Sequence, residues 1–135
     1  MSIVIDASVA VKWVLNEAGT DAALALRNEE LIAPVLWLAE AANALWRHVR
    51  LGELAVEEAI ARMTELEEAP VTSLAIEPLI RPALILGSQS NHPIYDCLYL
   101  ALALRYDTHI VSDDRRFAAA VARLGLTERI RLLGT

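Results

Sequence analysis

Carboxylates interrupt otherwise apolar stretches at four places in this chain, one of them an Asp-Asp pair, and they are the side chains best suited to chemistry. Asp6 ends the run Ile3-Val4-Ile5, and Glu40 interrupts the segment from Val35 to Ala42. Asp96 is the only charge between Pro93 and Leu104, and Asp113-Asp114 follows Ile110-Val111-Ser112. Burying a lone carboxylate costs on the order of several kcal/mol unless a cation or hydrogen bonds hold it. One such residue is ordinarily a helix cap; four of them suggest a shared cation. Carboxylate oxygens suit hard ions such as Mg²⁺ and Mn²⁺, whose main enzymatic use is on phosphates.

The elements that position these acids follow from the hydrophobic pattern. Short apolar runs predict strands at 2–5, 31–33, 71–74, 109–111 and 130–133. Helical patterns fill the intervals, at about 7–14, 20–28, 34–51, 56–68, 78–88, 95–105 and 115–124, with Pro34 in the first turn of the third and Gly52 stopping it. Strands alternating with helices imply an α/β fold, a parallel sheet covered on both faces. Ligands of such sheets bind beyond the carboxyl ends of the strands, at a topological switch point. Asp6 and Asp113-Asp114 come directly after the first and fourth strands.

Each acid also has a plainer reading. Asp6-Ala7-Ser8 is a good helix N-cap, and taken alone capping is the better account of Asp6. Glu40, Asn43, Arg47 and Arg50 fall at i, i+3, i+7 and i+10, one narrow polar stripe on an apolar helix. So thin a stripe fits a helix embedded in protein and facing a polar cleft better than it fits a solvated face. Asp96 lies in the first turn of a helix that is apolar all round, where the helix dipole alone favours an acid by about 0.3–1 kcal/mol. Metal ligation and this dipole preference stand level there. One of Asp113 and Asp114 is expected to cap the helix that begins at Arg115. His48, His92 and His109 form no pair with metal-ligand spacing, so surface or core roles are expected for them.

The bulk composition narrows the class. A chain of 135 residues, 56% hydrophobic and 22% charged, is expected to form a single domain over 1–135. No stretch reaches the roughly 18 uninterrupted apolar residues of a membrane span, and the N-terminus lacks signal-peptide features, so a cytoplasmic protein with no membrane partner is expected. Cys97 is the only cysteine, which excludes an intramolecular disulfide and a cysteine-based zinc site. A net charge of −6 argues against coating nucleic acid by charge alone, but leaves room for a nuclease whose metal offsets the acids locally. Lys12 is the only lysine among the twelve basic residues; the others are Arg, the type suited to bidentate phosphate contacts. The apolar weight of the chain, with Trp13, Trp37 and Trp46, suggests surface reserved for a second copy or another partner.

Four segments together resemble the motifs of PIN-domain ribonucleases: Ile3-Val4-Ile5-Asp6-Ala7-Ser8; Glu40 with Asn43; Pro93-Ile94-Tyr95-Asp96-Cys97-Leu98-Tyr99-Leu100-Ala101; and Val111-Ser112-Asp113-Asp114-Arg115-Arg116-Phe117. The group they are most similar to is the VapC toxins of bacterial and archaeal toxin–antitoxin pairs, over essentially the whole chain. The resemblance implies a PIN fold, a three-layer arrangement with a central parallel sheet of order 3-2-1-4-5 and helices on both faces. It implies Mg²⁺- or Mn²⁺-dependent endonucleolytic cleavage of RNA, a homodimer, and a VapB-type antitoxin partner. By the family pattern the catalytic, metal-binding acids are Asp6, Glu40, Asp96 and Asp114. Ser8 and Ser112 occupy the small hydroxyl positions, Ser112 where the family more often has Thr, and Asp113 falls at a variable position. Ser8, Ser112 and Asn43 are then expected to orient the carboxylates, and Arg47 and Arg50 to meet the RNA backbone or a partner's carboxylate. Two rivals are an acid-cluster phosphatase and a non-catalytic PIN-like interaction module. The first needs an acid where this chain has Ser8; the second has no need of four acids.

Overall fold

The structure is a computed structural model and describes residues 2–135. The elements run β1 (Ser2–Ile5), α1 (Ala7–Ala10), α2 (Thr20–Ala25), β2 (Glu30–Pro34), α3 (Leu36–Arg50), α4 (Val56–Glu67), β3 (Val71–Leu74), α5 (Glu77–Ser90), α6 (Ile94–Arg105), β4 (Ile110–Ser112), α7 (Arg115–Arg123) and β5 (Ile130–Leu132). Single 3₁₀ turns extend α1 over Val11–Trp13, extend α2 over Leu26–Asn28 and precede β5 at Thr127–Arg129. The strands form one sheet of order β3-β2-β1-β4-β5, and every pairing is parallel. This is the predicted order.

The central strands carry consecutive apolar residues because both their faces are covered. Val4, Ile5, Ile110 and Val111 are buried, whereas the edge strand β3 exposes Thr72 and Ser73. Helix α6 lies against β1, β2 and β4 and is buried continuously from Cys97 to Ala103, which explains its lack of a polar face. Each of its buried leucines contributes about 2 kcal/mol by removal from water. Trp37 is also in the core, its indole N–H donating to Ser73 Oγ at 2.9 Å, while Trp46 is half exposed. No helix among the described residues is long and apolar enough to cross a membrane.

Pro34 departs from its predicted place. It closes β2, in register with Leu74 of β3, and the helix begins two residues later at Leu36. A proline is tolerated at a strand's end, and the ladder is carried on by Val35 N–H, which donates to Leu74 O at 2.8 Å. The other predicted boundaries hold to within about three residues, the usual scatter of helix and strand ends.

A tight reversal joins α5 to α6. Asn91 ends α5 in the left-handed conformation, φ 53°, and His92 N–H returns to Gly87 O at 3.1 Å. A Cβ on Gly87 would lie 2.8 Å from the His92 carbonyl oxygen, so only glycine lets the loop close onto α5. Gly87→Ala should therefore lower the melting temperature, the overpacking cost of about 1–3 kcal/mol outweighing the better helix propensity of Ala. A thermal melt in which the variant is as stable as the parent, or more so, would show that the close approach yields without cost.

Candidate active site

Strands β1 and β4 are neighbours whose connections leave in opposite directions, so their carboxyl ends form the switch point of the sheet. Ile5 is in register with Val111, which sets Asp6 beside Ser112 and the turn after it. Asp6 begins α1, yet its side chain caps no helix N–H. Its two oxygens instead accept hydroxyl bonds, Oδ1 from Ser8 at 2.5 Å and Oδ2 from Ser112. Ser112 Oγ in turn accepts the N–H of Asp114 at 3.0 Å, and Ser8 Oγ accepts that of Asp113 at 2.9 Å. Two serines thus tie the end of β1 to the turn after β4.

The two aspartates of that turn part company. Asp114 Oδ1 caps α7, accepting from the N–H groups of Arg116 at 2.9 Å and Phe117 at 3.2 Å. Asp113 points to Lys12 Nζ, 3.1 Å away. Lys12 is buried and also reaches Glu17 at 3.1 Å and the Ala18 carbonyl at 2.7 Å. Burial works against its charge, but the bonds to Glu17 and Asp113 outweigh it and hold its pKa above the ordinary value. This cation is fully occupied by its own partners.

Glu40, on α3, accepts the Tyr99 hydroxyl at 2.5 Å, and Asp96, in the first turn of α6, meets His92 Nε2 at 2.7 Å. The His92 ring is itself fixed, stacked on Phe117 with centroids 5.7 Å apart. The sequence leads to a surface or core role for His92, and the structure places it instead on an acid of the cluster. The signal is its i, i+4 spacing from Asp96 across a sharp loop, and Tyr99 stands one helical turn after Asp96 in the same way.

These segments enclose one cavity of about 470 Å³, lined among others by Asp6, Ser8, Glu40, Asn43, Asp96 and Asp114. The structure therefore brings together all four predicted acids, Ser8 and Asn43; Ser112 lies behind Asp6. Arg47 also lines the cavity, whereas Arg50 sits over the Trp46 ring at 5.3 Å. With four acids against one arginine, the cavity is strongly electronegative. Burial pushes the Asp6 carboxyl up to about 7, with the bonds from Ser112 and Ser8 opposing and the charge of Asp96 assisting. Burial likewise raises Glu40, against the bond from Tyr99 and with the charge of Asp96. Tyr99 is raised by its own burial and by the Glu40 charge, so it stays a donor.

An all-oxygen donor set with excess negative charge fits a hard divalent cation. Among the described residues no three His, Cys, Asp or Glu side chains stand close enough to hold one ion, so the cavity is an open acidic site rather than a closed coordination sphere.

A strand-end acidic cavity on a 3-2-1-4-5 parallel sheet defines a class, and comparison with known proteins agrees. The family model of the PIN domain matches residues 3–123, and the chain belongs to the PIN-domain family. Within the family it is similar to the VapC ribonucleases: it is 33% identical over 124 residues to Ribonuclease VapC3 of Pyrobaculum aerophilum, covering 87% of this chain and 93% of that one. The crystal structure of PAE2754 from Pyrobaculum aerophilum superposes with a TM-score of 0.72 at 25% identity, over 98% of this chain and 92% of that one. Mycobacterium tuberculosis VapC20, a sarcin-ricin loop cleaving toxin, shares the fold at a TM-score of 0.66 and 17% identity, over 87% of this chain and 94% of its own.

The raised Asp6 pKa has a consequence for stability. Its value moves from the ordinary 3.8 to about 7 on folding, so folding favours the protonated form. The contribution is present in full below about pH 4 and is lost as pH rises through 7. Metal-free protein should thus be more stable at pH 5 than at pH 8, by on the order of a few kcal/mol, and Asp6→Asn should flatten the difference. Thermal melts in EDTA across this range test it; equal pH dependence in the two proteins would assign the titration elsewhere.

Proposed function

We infer that the acidic cavity is the active centre of a Mg²⁺- or Mn²⁺-dependent endoribonuclease hydrolysing RNA phosphodiester bonds, the toxin of a VapBC pair acting in the cytoplasm. The observation that carries this reading is the convergence of four acids from four separate segments on one strand-end cavity, with the nearby buried lysine engaged elsewhere. Asp6, Glu40, Asp96 and Asp114 would hold the ion, directly or through bound water, since no three of them stand close enough to ligate it together. Such an ion, when bound, supplies a water of lowered pKa and screens charge on the scissile phosphate.

The chain's own residues supply orientation. Asp6 is held at both oxygens by Ser8 and Ser112. Asp96, Glu40 and Asp114 are each held at one, by His92, Tyr99 and the first turn of α7, which leaves the other oxygen for the cavity. Neighbours that fix ligand rotamers in this way commonly change metal affinity or activity about 10–100-fold when removed. Asn43 and Arg47 line the same cavity and suit contacts to the sugar and phosphate of RNA.

Purified protein incubated with structured RNA should cleave it with Mg²⁺ or Mn²⁺ and not with EDTA, and Asp6→Asn should reduce cleavage at least about 100-fold. Cleavage that persists in EDTA, or survives the substitution, would sink the metal mechanism.

A homodimer belongs to the same reading. Ile80, Leu84 and Ile85 are exposed on α5, with Ile80 and Leu84 one turn apart on one face, as a dimer seam requires. Light scattering at micromolar concentration should give about twice the 14.8 kDa chain mass, and Leu84→Glu should return the single-chain value. A parent protein that is monomeric at every concentration rejects the dimer.

A further inference from the structure

The acidic cavity has a neighbour of opposite character. A second cavity, of about 450 Å³, shares Asp96 and Asp114 with the first, and its other walls include His92, Arg116 and Arg123. The two aspartates therefore form a rim with an acidic basin on one side and a pair of arginines on the other. Arg116 and Arg123 lie seven residues apart on α7, two turns along one face, with the small Ala119 between them leaving the floor of the cavity open.

The two arginines here are not balanced by carboxylate partners. Neither arginine makes an ion pair among the described residues, although the chain carries an excess of acids. Arg123 is nonetheless anchored: its Nε and Nη2 donate to the Ser90 carbonyl at 3.2 and 2.8 Å, while Nη1 has no such bond. The His92 wall is rigid too, held by Asp96 and Phe117. Guanidinium groups without carboxylate partners beside a pocket of acids are suited to an anion.

We propose that this second cavity binds the RNA phosphodiester flanking the scissile one, with Arg116 and Arg123 as its donors, so that the strand crosses the Asp96–Asp114 rim from one cavity to the other. The proposal rests on the ribonuclease reading of the acidic cavity and adds a place for the neighbouring nucleotide. A polyanion laid over four carboxylates meets repulsion at the reacting phosphate, and a positive site one nucleotide away offsets it. Phosphate contacts of this kind fix the register of the strand and carry no base preference, so the subsite holds different sequences alike.

The test uses Arg116→Gln, because Arg116 is exposed and its side chain supports no other group, with Arg115→Gln as a control on the same helix but outside the cavity. Binding of a short single-stranded RNA spanning the parent's mapped cleavage site is measured in EDTA over a range of KCl concentrations. Arg116→Gln should bind about tenfold more weakly at about 0.1 M salt, and the slope of log K against log salt should fall in magnitude by about 0.7, one phosphate contact on a single strand. Arg115→Gln should keep the parent slope. A neutral methylphosphonate is then placed at the linkage on either side of the scissile bond. At one of the two positions it should weaken Arg116→Gln less than it weakens the parent, because only the Arg123 contact is left to lose. If Arg116→Gln matches the parent in slope, or loses as much as the parent at both positions, the subsite is overturned alone. A parent that neither binds nor cleaves RNA overturns the ribonuclease reading, and the subsite with it.

Discussion

A carboxylate buried at the end of the central strand, with hydroxyls but no cation for company, is the constraint around which this molecule is built. Asp6 is almost fully enclosed, and the hydroxyls of Ser8 and Ser112 hold its two oxygens. In such surroundings ionisation is opposed by desolvation, and two hydroxyl bonds recover only part of the loss. Lys12 could have neutralised the charge, yet it is bound to Glu17, Asp113 and the Ala18 carbonyl. The fold thus keeps an uncompensated acid where a closer-packed core would be more stable. Strain of this kind at a site is the ordinary trade of stability against function.

The same serines that hold Asp6 also join the two strands of the switch point. Ser8 spans from the start of α1 to the N–H of Asp113, and Ser112 from the end of β4 to the N–H of Asp114. Lys12 closes the arrangement from outside through the Asp113 carboxylate. Orientation of Asp6 and placement of Asp114 are therefore one event: the turn cannot shift without loosening both. Asp113, variable by the family pattern, has in this chain the role of anchoring that turn rather than of lining the cavity.

Much of this is legible in the chain. Five apolar runs separated by helical patterns suffice for the parallel sheet, and the isolation of Asp6, Glu40 and Asp96 marks three of the residues that meet in the cavity, while Asp114 is singled out only by the family resemblance. What stays hidden is what tertiary contact alone decides. Asp113 and Asp114 are alike by position, and only the reach of Lys12 separates them. His92 looks like a loop residue because the chain reversal at Asn91 and the glycine that permits it are invisible to helical periodicity. Pro34 fits a helix start as well as a strand end by its own geometry, and the neighbouring strand β3 makes the choice. Asp6 by itself reads better as a cap, since nothing local reveals that Ser112, 106 residues away, supplies its partner.

The distribution of charge reconciles an acidic chain with a polyanionic substrate. A net charge of −6 gives no general attraction for RNA, so affinity has to come from local groups. The structure separates the signs on either side of one rim. Acids occupy the basin at the sheet switch point, where Ser8, Ser112, Tyr99 and His92 anchor their carboxylates. Arg116 and Arg123 of α7 line the neighbouring basin, Arg123 held by the Ser90 carbonyl rather than by an acid that would quench it. Helix α7 serves both sides: its first turn fixes Asp114 by capping, and its exposed face carries Arg116 and Arg123. On the proposed reading, an arrangement in which one short helix orients an acid and displays the compensating cations would couple recognition of the strand to the geometry of the reacting centre.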